Sequence, residues 1–430
     1  MHTFNRRKFI KLAAGAGTLL TTLGPLVACS TGGNPGKRVI VVGGGFGGST
    51  CAKYLKRFDP DLDVTLIDSS NRFVTCPFSN VVLGGFREMS DISHDYRNQK
   101  KRGVNVIQAT VQEVDAVVQK VKLSNGKTLA YDRLVLSPGI DFKWEDVEGM
   151  TEADAQILPH AWQGGQQTTL LRDQLTAMPD GGVVIIAPPA NPFRCPPGPY
   201  ERASLIAHYL KQHKPKSKIL ILDGKDKFSK MPLFTQAWEE LYPGMIEWVG
   251  ASQGGRIERV DVSARTLETE VGDKHKADVV NFIPPQKAGD IAQKSGLTDA
   301  SGWCPVNQRS FESSKATGVH IIGDASVAGK MPKSGFAANS QGKVCAAAIV
   351  SALYGTEMPE PSYVNTCYSL VSPTYGISVA AVYRYSQEKG IYSVEGSGGV
   401  SPIEADLVYR EQEARYAVGW YDSITLDTFG

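Results

Sequence analysis

The sequence has no excess of charge of either sign, no block of like charges and no Cys-x-x-Cys motif. Its 46 Lys and Arg stand against 44 Asp and Glu in 430 residues, which gives a formal charge of +2. This balance gives nucleic acid binding no electrostatic support. The seven cysteines have no spacing typical of a zinc ribbon, a thioredoxin-like site or a haem attachment site. The histidines show no metal-ligand spacing either, so we predict no metal site.

Residues 1–29 have the pattern of an export signal. Arg6 and Arg7 stand directly before an apolar stretch at 12–28, which is shorter than the roughly 20 residues of a membrane span. Paired arginines at this place indicate twin-arginine export of a folded protein to the periplasm. Cys29 also ends a lipobox-like pattern, so lipidation at Cys29 and an uncleaved membrane anchor are the alternatives.

A strand, a glycine turn and a helix are predicted at the start of the folded chain. Residues 37–42 are rich in β-branched side chains, and Gly43, Gly45 and Gly48 follow with the spacing of a dinucleotide-binding loop. Asp68 ends a second predicted strand, where an acid accepts a hydrogen bond from a ribose hydroxyl. Together these features predict dinucleotide binding; the alternative is a glycine-rich turn without a ligand.

Two later segments indicate that the dinucleotide is FAD. Residues 131–139 and 317–324 resemble the other fingerprints of flavoproteins with two dinucleotide-binding domains, and the second segment would bring Gly323 and Asp324 to the ribityl and phosphate region. We therefore predict an α/β, glutathione reductase-like fold with a degenerate NAD-like domain inserted into the FAD domain. The predicted domains are 36–148 and 288–357 for FAD binding, 149–287 for the NAD-like domain and 358–430 for a C-terminal domain.

The inserted domain lacks the glycines that a nicotinamide dinucleotide requires. Its first predicted strand, at 181–187, runs into a proline-rich loop at 188–199 that contains Cys195. Proline has no backbone N–H for a pyrophosphate, and its ring fills the space that glycine leaves open. The sequence therefore predicts that a small reductant, and not NADH, reduces the flavin.

Further motifs are TCPFSN at 75–80, the stretch at 193–204, MPKSG at 331–335, NTCYS at 365–369 and the closing residues 420–430. With these motifs, the chain from residue 37 to its end resembles the flavoprotein subunit of flavocytochrome c sulfide dehydrogenase. The resemblance implies that sulfide is oxidised to sulfur or polysulfide and that a c-type cytochrome subunit receives the electrons.

The resemblance also implies roles for single residues. Cys76 would carry the FAD covalently, although spacing alone favours a free or structural cysteine. Cys195 and Cys367 match a redox-active disulfide that hydrosulfide can attack; a structural disulfide is the alternative. Glu201 matches a glutamate base, and Lys333 is a candidate for contact with the flavin pyrimidine edge. An ordinary first-turn glutamate and a surface lysine are the respective alternatives.

Two other functions stay open at this point. A sulfide:quinone oxidoreductase shares the fold and the cysteine pair, but it needs an amphipathic membrane-surface segment. The tail after Ser401 contains several acids and no basic apolar stripe, although a lipid on Cys29 would supply membrane proximity. An accessory flavoprotein of a sulfur-oxidising complex would need the same FAD and the same cysteines, so the sequence does not separate it from the enzyme.

Overall fold

The structure is a computed structural model that describes residues 37–430. The predicted signal at 1–29, with Arg6, Arg7 and Cys29, lies outside the described residues. Within residues 37–430, no helix combines the length and the apolar character needed to cross a bilayer.

The first part of the chain forms strands from short apolar runs and a long helix after the glycine turn. The helix has small buried residues on the side facing the sheet, and it ends with Lys56 and Arg57 at the negative end of the helix dipole. The elements are β1 (Arg38–Val42), α1 (Phe46–Phe58), β2 (Asp63–Asp68), β3 (Arg72–Val74), α2 (Ser79–Gly84), β4 (Ser93–Asp95), α3 (Arg97–Lys101), β5 (Asn105–Gln108), β6 (Val111–Asp115), β7 (Lys120–Leu123), β8 (Thr128–Ala130), β9 (Arg133–Leu136) and β10 (Ile140–Phe142).

The middle of the chain alternates strands and helices again. Its second helix follows the proline-rich loop and has a proline in its first turn, where the missing N–H costs nothing. The elements are α4 (Gln166–Ala177), β11 (Val183–Ala187), α5 (Gly198–His213), β12 (Lys218–Leu222), α6 (Met231–Leu241), β13 (Ile246–Val249), β14 (Ile257–Asp261), β15 (Thr266–Thr269), β16 (Lys274–Lys276) and β17 (Val279–Phe282).

The last part of the chain completes the first domain and adds a hairpin and a long terminal helix. Both long helices have side-chain N-caps, from Ser334 to the Ala337 N–H and from Asp406 to the Tyr409 N–H. The elements are β18 (Gln286–Ala288), α7 (Asp290–Lys294), β19 (Val319–Ile321), α8 (Gly335–Tyr354), β20 (Ser362–Ser372), β21 (Tyr375–Ser386), β22 (Gly390–Ser393), β23 (Gly399–Val400) and α9 (Leu407–Phe429).

Two parallel sheets confirm the predicted α/β class. The first has the strand order β19-β9-β1-β2-β5, and the second has the order β13-β12-β11-β17. Val41 lies opposite Leu66 on one side and pairs with Val135 on the other, so apolar side chains fill the sheet centre. These strands are buried on both faces, as parallel strands between helices are expected to be.

A short antiparallel pair marks the place where the chain leaves the first domain and returns to it. Ile140 of β10 lies opposite Ala288 of β18, and Phe142 lies opposite Gln286. The second parallel sheet lies entirely between these two strands in sequence, which is the arrangement of an inserted domain. The exact boundaries of the predicted domains stay predictions.

The C-terminal region packs against the loops that surround the first sheet. Phe429 stacks on Phe73 at a centroid distance of 5.7 Å and contacts Phe46 at the start of α1. Glu413 forms a buried pair with Arg410 at 3.4 Å, and its carboxylate also accepts a hydrogen bond from Ser378 of β21. The terminal helix is therefore fixed both to its own hairpin and to the predicted dinucleotide loop.

Candidate functional site

A cavity of about 720 Å³ lies at the carboxyl ends of β1, β2 and β9, which is where open α/β sheets bind ligands. Gly43 and Gly45 line it, and Gly48 lies behind them in α1. Gly43 has φ +93°, and a Cβ there would be 2.3 Å from the Ser137 carbonyl oxygen. A Cβ on Gly48 would be 1.9 Å from the Gly43 oxygen, so only glycine fits either place.

The cavity contains the polar groups predicted for the adenosine half of a dinucleotide. Helix α1 starts after Gly45 without a side-chain cap, so its first N–H groups are available to an anion. Asp68 lines the cavity, and its carboxylate accepts hydrogen bonds from the Gly44 N–H at 2.6 Å and the Ser70 N–H at 2.8 Å. These bonds fix the carboxylate at the end of β2.

Asp324 and Arg194 form a half-buried ion pair at the other end of the cavity. The Arg194 Nη1 lies 3.7 Å from the Asp324 Oδ2, and both residues line the cavity beside Gly323. Asp324 Oδ1 and Arg194 Nε are buried without a hydrogen-bond partner within the described residues. Burial raises the pKa of Asp324. Unpaired buried polar atoms are unusual in proteins, so this end of the cavity fits a polar ligand such as FAD.

Lys333 does not line the cavity. Its ammonium donates to the carbonyl oxygens of Asp324 at 2.6 Å and Ser326 at 3.0 Å, and it lies over the Trp303 ring. Burial lowers the pKa of Lys333 to about 8. The alternative of a surface lysine is therefore wrong, and the predicted contact with the flavin stays a prediction.

Cys76 lies at the edge of the cavity, in the loop before α2. Its thiol is 3.4 Å from the Trp162 carbonyl oxygen. Phe78, two residues later, has φ +69° and stacks on Tyr421 at a centroid distance of 4.3 Å. The Tyr421 hydroxyl is 2.9 Å from the Thr75 hydroxyl. Helix α9 thus supports the loop that presents Cys76 to the cavity.

Cys195 lies in the loop between β11 and α5 and has φ +57°. Its N–H donates to the Lys333 carbonyl oxygen at 2.8 Å, so the loop is tied to the FAD domain. Trp162 supports the same loop, because its Nε1 donates to the Arg194 carbonyl oxygen at 3.1 Å. Burial is the main cause that raises the pKa of Cys195, and the nearby Cys367 and Glu201 raise it further.

Cys367 lies on β20, in the C-terminal region, and its thiol is a close neighbour of the Cys195 thiol. Both cysteines are free thiols in this structure. Burial raises the pKa of Cys367, and Lys230 opposes this rise. The fold therefore brings together two cysteines that are 172 positions apart in sequence, as the resemblance implied, and the disulfide between them stays a prediction.

Glu201 lies in the first turn of α5, half-buried between the two cysteine-bearing segments. Its Oε1 accepts a hydrogen bond from the Leu370 N–H at 2.9 Å, and its Oε2 accepts one from Asn80 Nδ2 at 2.8 Å. Burial raises the pKa of Glu201 even though these bonds and the cations of Lys230 and Arg202 oppose the rise. A carboxyl group in this position can exchange a proton with a thiol.

Several residues at the site were missed in the sequence. Arg202 is buried and binds Asn80 Oδ1, Asn281 Oδ1 and the carbonyl oxygens of residues 160 and 161. Lys230 is buried beside Cys367 and donates to Ser369 Oγ at 2.8 Å. No sequence pattern indicated Arg202 or Lys230. Arg194 had one weak indication, which is its position directly before Cys195.

At the position that corresponds to the cavity of the FAD domain, side chains of the NAD-like domain leave only a small cavity. Pro188 and Pro189 follow β11 and border a cavity of only about 190 Å³. Asp223, at the end of β12, is buried and accepts hydrogen bonds from Tyr200 at 2.5 Å, Trp248 at 3.1 Å and Lys225 at 2.6 Å. The acid that would bind a ribose is thus used inside the protein, which agrees with the predicted degeneracy of this domain.

Three family models match parts of the chain. Residues 37–175 match the pyridine nucleotide-disulphide oxidoreductase family. Residues 168–284 match the central domain of the sulfide dehydrogenase [flavocytochrome c] flavoprotein chain, and residues 359–429 match the flavocytochrome c sulphide dehydrogenase flavin-binding domain.

The curated relatives include a sulfide dehydrogenase and several sulfide:quinone oxidoreductases. The flavoprotein chain of sulfide dehydrogenase [flavocytochrome c] from Chlorobaculum thiosulfatiphilum is 63% identical over 46 residues, which are 11% of this chain and 96% of the relative. The mitochondrial sulfide:quinone oxidoreductase of Dictyostelium discoideum is 23% identical over 363 residues, which are 82% of this chain and 78% of the relative.

Solved structures support the fold. The sulfide:quinone oxidoreductase of Aquifex aeolicus superposes with a TM-score of 0.70 at 17% identity and 91% coverage of both chains. The putidaredoxin reductase–putidaredoxin complex superposes with a TM-score of 0.65 at 16% identity and covers 90% of this chain and 94% of that one. These identities are low, so they establish the two-domain flavoprotein fold alone.

Proposed function

This chain belongs to the family of flavocytochrome c sulfide dehydrogenase flavoprotein chains and is an oxidoreductase, and from this premise we propose that it oxidises sulfide with FAD. The product is sulfur or polysulfide, and a c-type cytochrome subunit accepts the electrons. The observation that carries the proposal is the convergence of the half-buried residues Cys195, Cys367 and Glu201. Cys195 follows Arg194, which lines the cavity, and Glu201 binds the Leu370 N–H of the strand that carries Cys367.

The first step is attack of hydrosulfide on one sulfur of the oxidised Cys195–Cys367 pair. A new S–S bond forms as the old one breaks, and the electron pair leaves with the other cysteine as a thiolate. The attacked cysteine becomes a persulfide, so the pair then holds the two electrons that sulfide brought. Both cysteines are within reach of the charge on Glu201, which supports its role as the base that takes the proton of hydrogen sulfide or of a thiol.

Residues on either side of the cavity would hold the cofactor. Gly43, Gly45 and Asp68 would bind the adenosine half of FAD. Gly323 and Asp324 would bind the ribityl half, and all five residues line the cavity. FAD bound there supplies a two-electron acceptor next to the cysteine pair. Cys76 lines the same cavity, and we propose that it carries the FAD covalently.

The proposed electron acceptor is a c-type cytochrome in the periplasm, reached by twin-arginine export. Sulfide:quinone oxidation is the second candidate, because relatives with that activity match most of the chain. It is favoured also by exposed apolar residues at the start of α9, where Leu407, Val408 and Tyr409 project into solvent. The acids Glu404 and Asp406 are exposed among them, and acids do not favour an anionic membrane surface.

A two-stage stopped-flow experiment tests the proposal. Flavin-loaded protein is mixed anaerobically with sulfide and then with either oxidised c-type cytochrome or a short-chain quinone. We expect bleaching of the flavin by sulfide and faster reoxidation by the cytochrome than by the quinone. Faster reoxidation by the quinone would assign the second candidate. A flavin that stays oxidised under sulfide would contradict both and favour an accessory flavoprotein without turnover.

A further inference from the structure

Lys230 is a buried cation that the proposed reaction does not use. Its side chain has no ion pair with a carboxylate within residues 37–430. Instead its Nζ is 2.8 Å from Ser369 Oγ, 3.4 Å from the Ile377 carbonyl oxygen and 3.5 Å from the Cys367 carbonyl oxygen. A lysine buried among neutral groups loses its hydration without an opposite charge in contact, and such an arrangement is costly.

The local backbone gives no reason for a positive charge at this place. Lys230 is the N-cap residue of α6, and the N-terminal end of a helix carries a partial positive charge that disfavours a cation. The residue also has φ +62°, a conformation that side chains other than those of Gly, Asn and Asp rarely adopt. The φ value is a conformational cost, whereas the helix dipole is an electrostatic one that a negative group nearby would offset.

Within residues 37–430, the anionic groups near enough to act on Lys230 are Cys367, Glu201, Cys195 and Glu413, and the last three have other partners. Glu413 is paired with Arg410 and with two serine hydroxyls. Glu201 accepts hydrogen bonds from Asn80 and the Leu370 N–H. Cys195 has the cation of its neighbour Arg194. Cys367 remains, and Lys230 is the one cation that opposes the effect of burial on its thiol.

We propose that Lys230 stabilises negative charge on the Cys367 sulfur, so that the thiolate of the reduced pair forms on Cys367 rather than on Cys195. The ammonium contacts β20 at two residues, because it lies close to the Cys367 carbonyl oxygen and donates to Ser369 Oγ. Lys230 is therefore a positioning residue, which acts through Cys367. The inference rests on the proposed function only for the redox role of the cysteine pair.

Alkylation of the chemically reduced holoenzyme tests this assignment without any turnover of sulfide. After reduction with a phosphine, the protein is treated with iodoacetamide over a range of pH, and the labelling rates of Cys195 and Cys367 are measured by peptide mass spectrometry. In the wild-type protein Cys367 should react faster at neutral pH. In Lys230→Met the labelling of Cys367 should be slower by about tenfold or more, because an adjacent opposite charge lowers a pKa by at least about one unit.

Lys230→Gln separates charge from hydrogen bonding, since it keeps a donor for Ser369 but has no charge. The proposal expects Lys230→Gln to behave like Lys230→Met at Cys367, with little change at Cys195. A labelling rate of Cys367 in Lys230→Gln equal to that of the wild type would assign Lys230 a structural role only. Faster labelling of Cys195 than of Cys367 in the wild type would overturn the proposal. Neither result depends on whether sulfide bleaches the flavin. Failure of this proposal can therefore be distinguished from failure of the proposed function.

Discussion

The two α/β domains have the same strand order and differ in the residues that come after their first and second strands. The order β9-β1-β2-β5 in the FAD domain corresponds to β17-β11-β12-β13 in the NAD-like domain. A glycine turn comes after β1, whereas Pro188 and Pro189 come after β11. The sheet geometry is thus kept in both domains, and the turn after the first strand decides whether a dinucleotide has room.

The acids at the ends of the second strands show the same contrast. Asp68 faces the larger cavity and accepts hydrogen bonds from the Gly44 and Ser70 N–H groups. Asp223 has its oxygens occupied by Tyr200, Trp248 and Lys225 and is fully buried. The NAD-like domain has exchanged a ligand site for internal hydrogen bonds, and its first loop and helix now provide Cys195 and Glu201. If the proposed function holds, the same fold binds the cofactor in one domain and contributes to the substrate chemistry in the other.

The largest effect is expected for Glu201→Gln in the NAD-like domain. Loss of a positioned base typically costs about 10²–10⁴ in rate, so reduction of the flavin by sulfide should slow by at least about 100-fold. Because burial raises the pKa of Glu201, the wild-type rate should fall as the pH drops through that raised value, and Glu201→Gln should lose this dependence. Stopped-flow rates over a pH series measure both. Glu240→Gln, on the exposed side of α6, is the control, and an unchanged rate in Glu201→Gln would contradict the role.

A substitution at the glycine turn should affect the other domain. Gly48→Val places a branched side chain against the Gly43 oxygen, and overpacking costs about 1–3 kcal/mol, so flavin affinity should fall about tenfold to 100-fold. Pro188→Gly, at the corresponding turn of the NAD-like domain, should leave the flavin content unchanged. The flavin-to-protein absorbance ratio after purification measures both variants. Full flavin content in Gly48→Val would show that the turn does not bind the cofactor.

The two strand-end acids should respond differently to removal. Asp68→Ala should lower flavin affinity about tenfold, because hydrogen bonds to charged groups contribute about 1.5–3 kcal/mol. Asp223→Asn should leave the flavin content unchanged and lower the free energy of unfolding by about 1–3 kcal/mol, since it weakens a buried network. Flavin titration of the apoprotein and denaturant unfolding measure the two effects. A loss of flavin in Asp223→Asn would contradict the claim that only the acid of the FAD domain contributes to cofactor binding.

The smallest effect is expected when NADH is added to the protein as a reductant of the flavin. NADH should fail to bleach the flavin in the wild type and also in the Pro188→Gly, Pro189→Gly double variant, because Asp223 remains occupied. Anaerobic absorbance spectra over an hour measure this. Bleaching of the double variant by NADH would mean that the prolines alone had blocked a site that is otherwise intact.

The sequence predicts the features that depend on local pattern. The first parallel sheet, the glycine turn and Asp68 follow from periodicity and spacing, and the proline loop predicts the loss of the second nucleotide site. The resemblance supplied Cys195, Cys367 and Glu201, and the structure brings these three residues together.

The buried cations could not be predicted in this way. Arg202 lies inside α5 and Lys230 directly precedes α6, and the burial of both arises from packing against segments more than 40 positions away. The sequence did not indicate that the Lys333 ammonium binds the Asp324 and Ser326 carbonyl oxygens, and its predicted contact with the flavin stays a prediction. A side chain's partners across domains depend on tertiary packing, which no local pattern encodes.

The most direct test of the account is anaerobic mixing of sulfide with the oxidised wild-type protein, Cys195→Ser and Cys367→Ser, followed at the flavin absorbance band. Cys345→Ala, a buried cysteine change in α8, is the matched control. The account predicts rapid bleaching in the wild type and in Cys345→Ala, with bleaching abolished in both serine variants at full flavin content. Equal bleaching in a serine variant would contradict it, because sulfide would then reach the flavin without the cysteine pair.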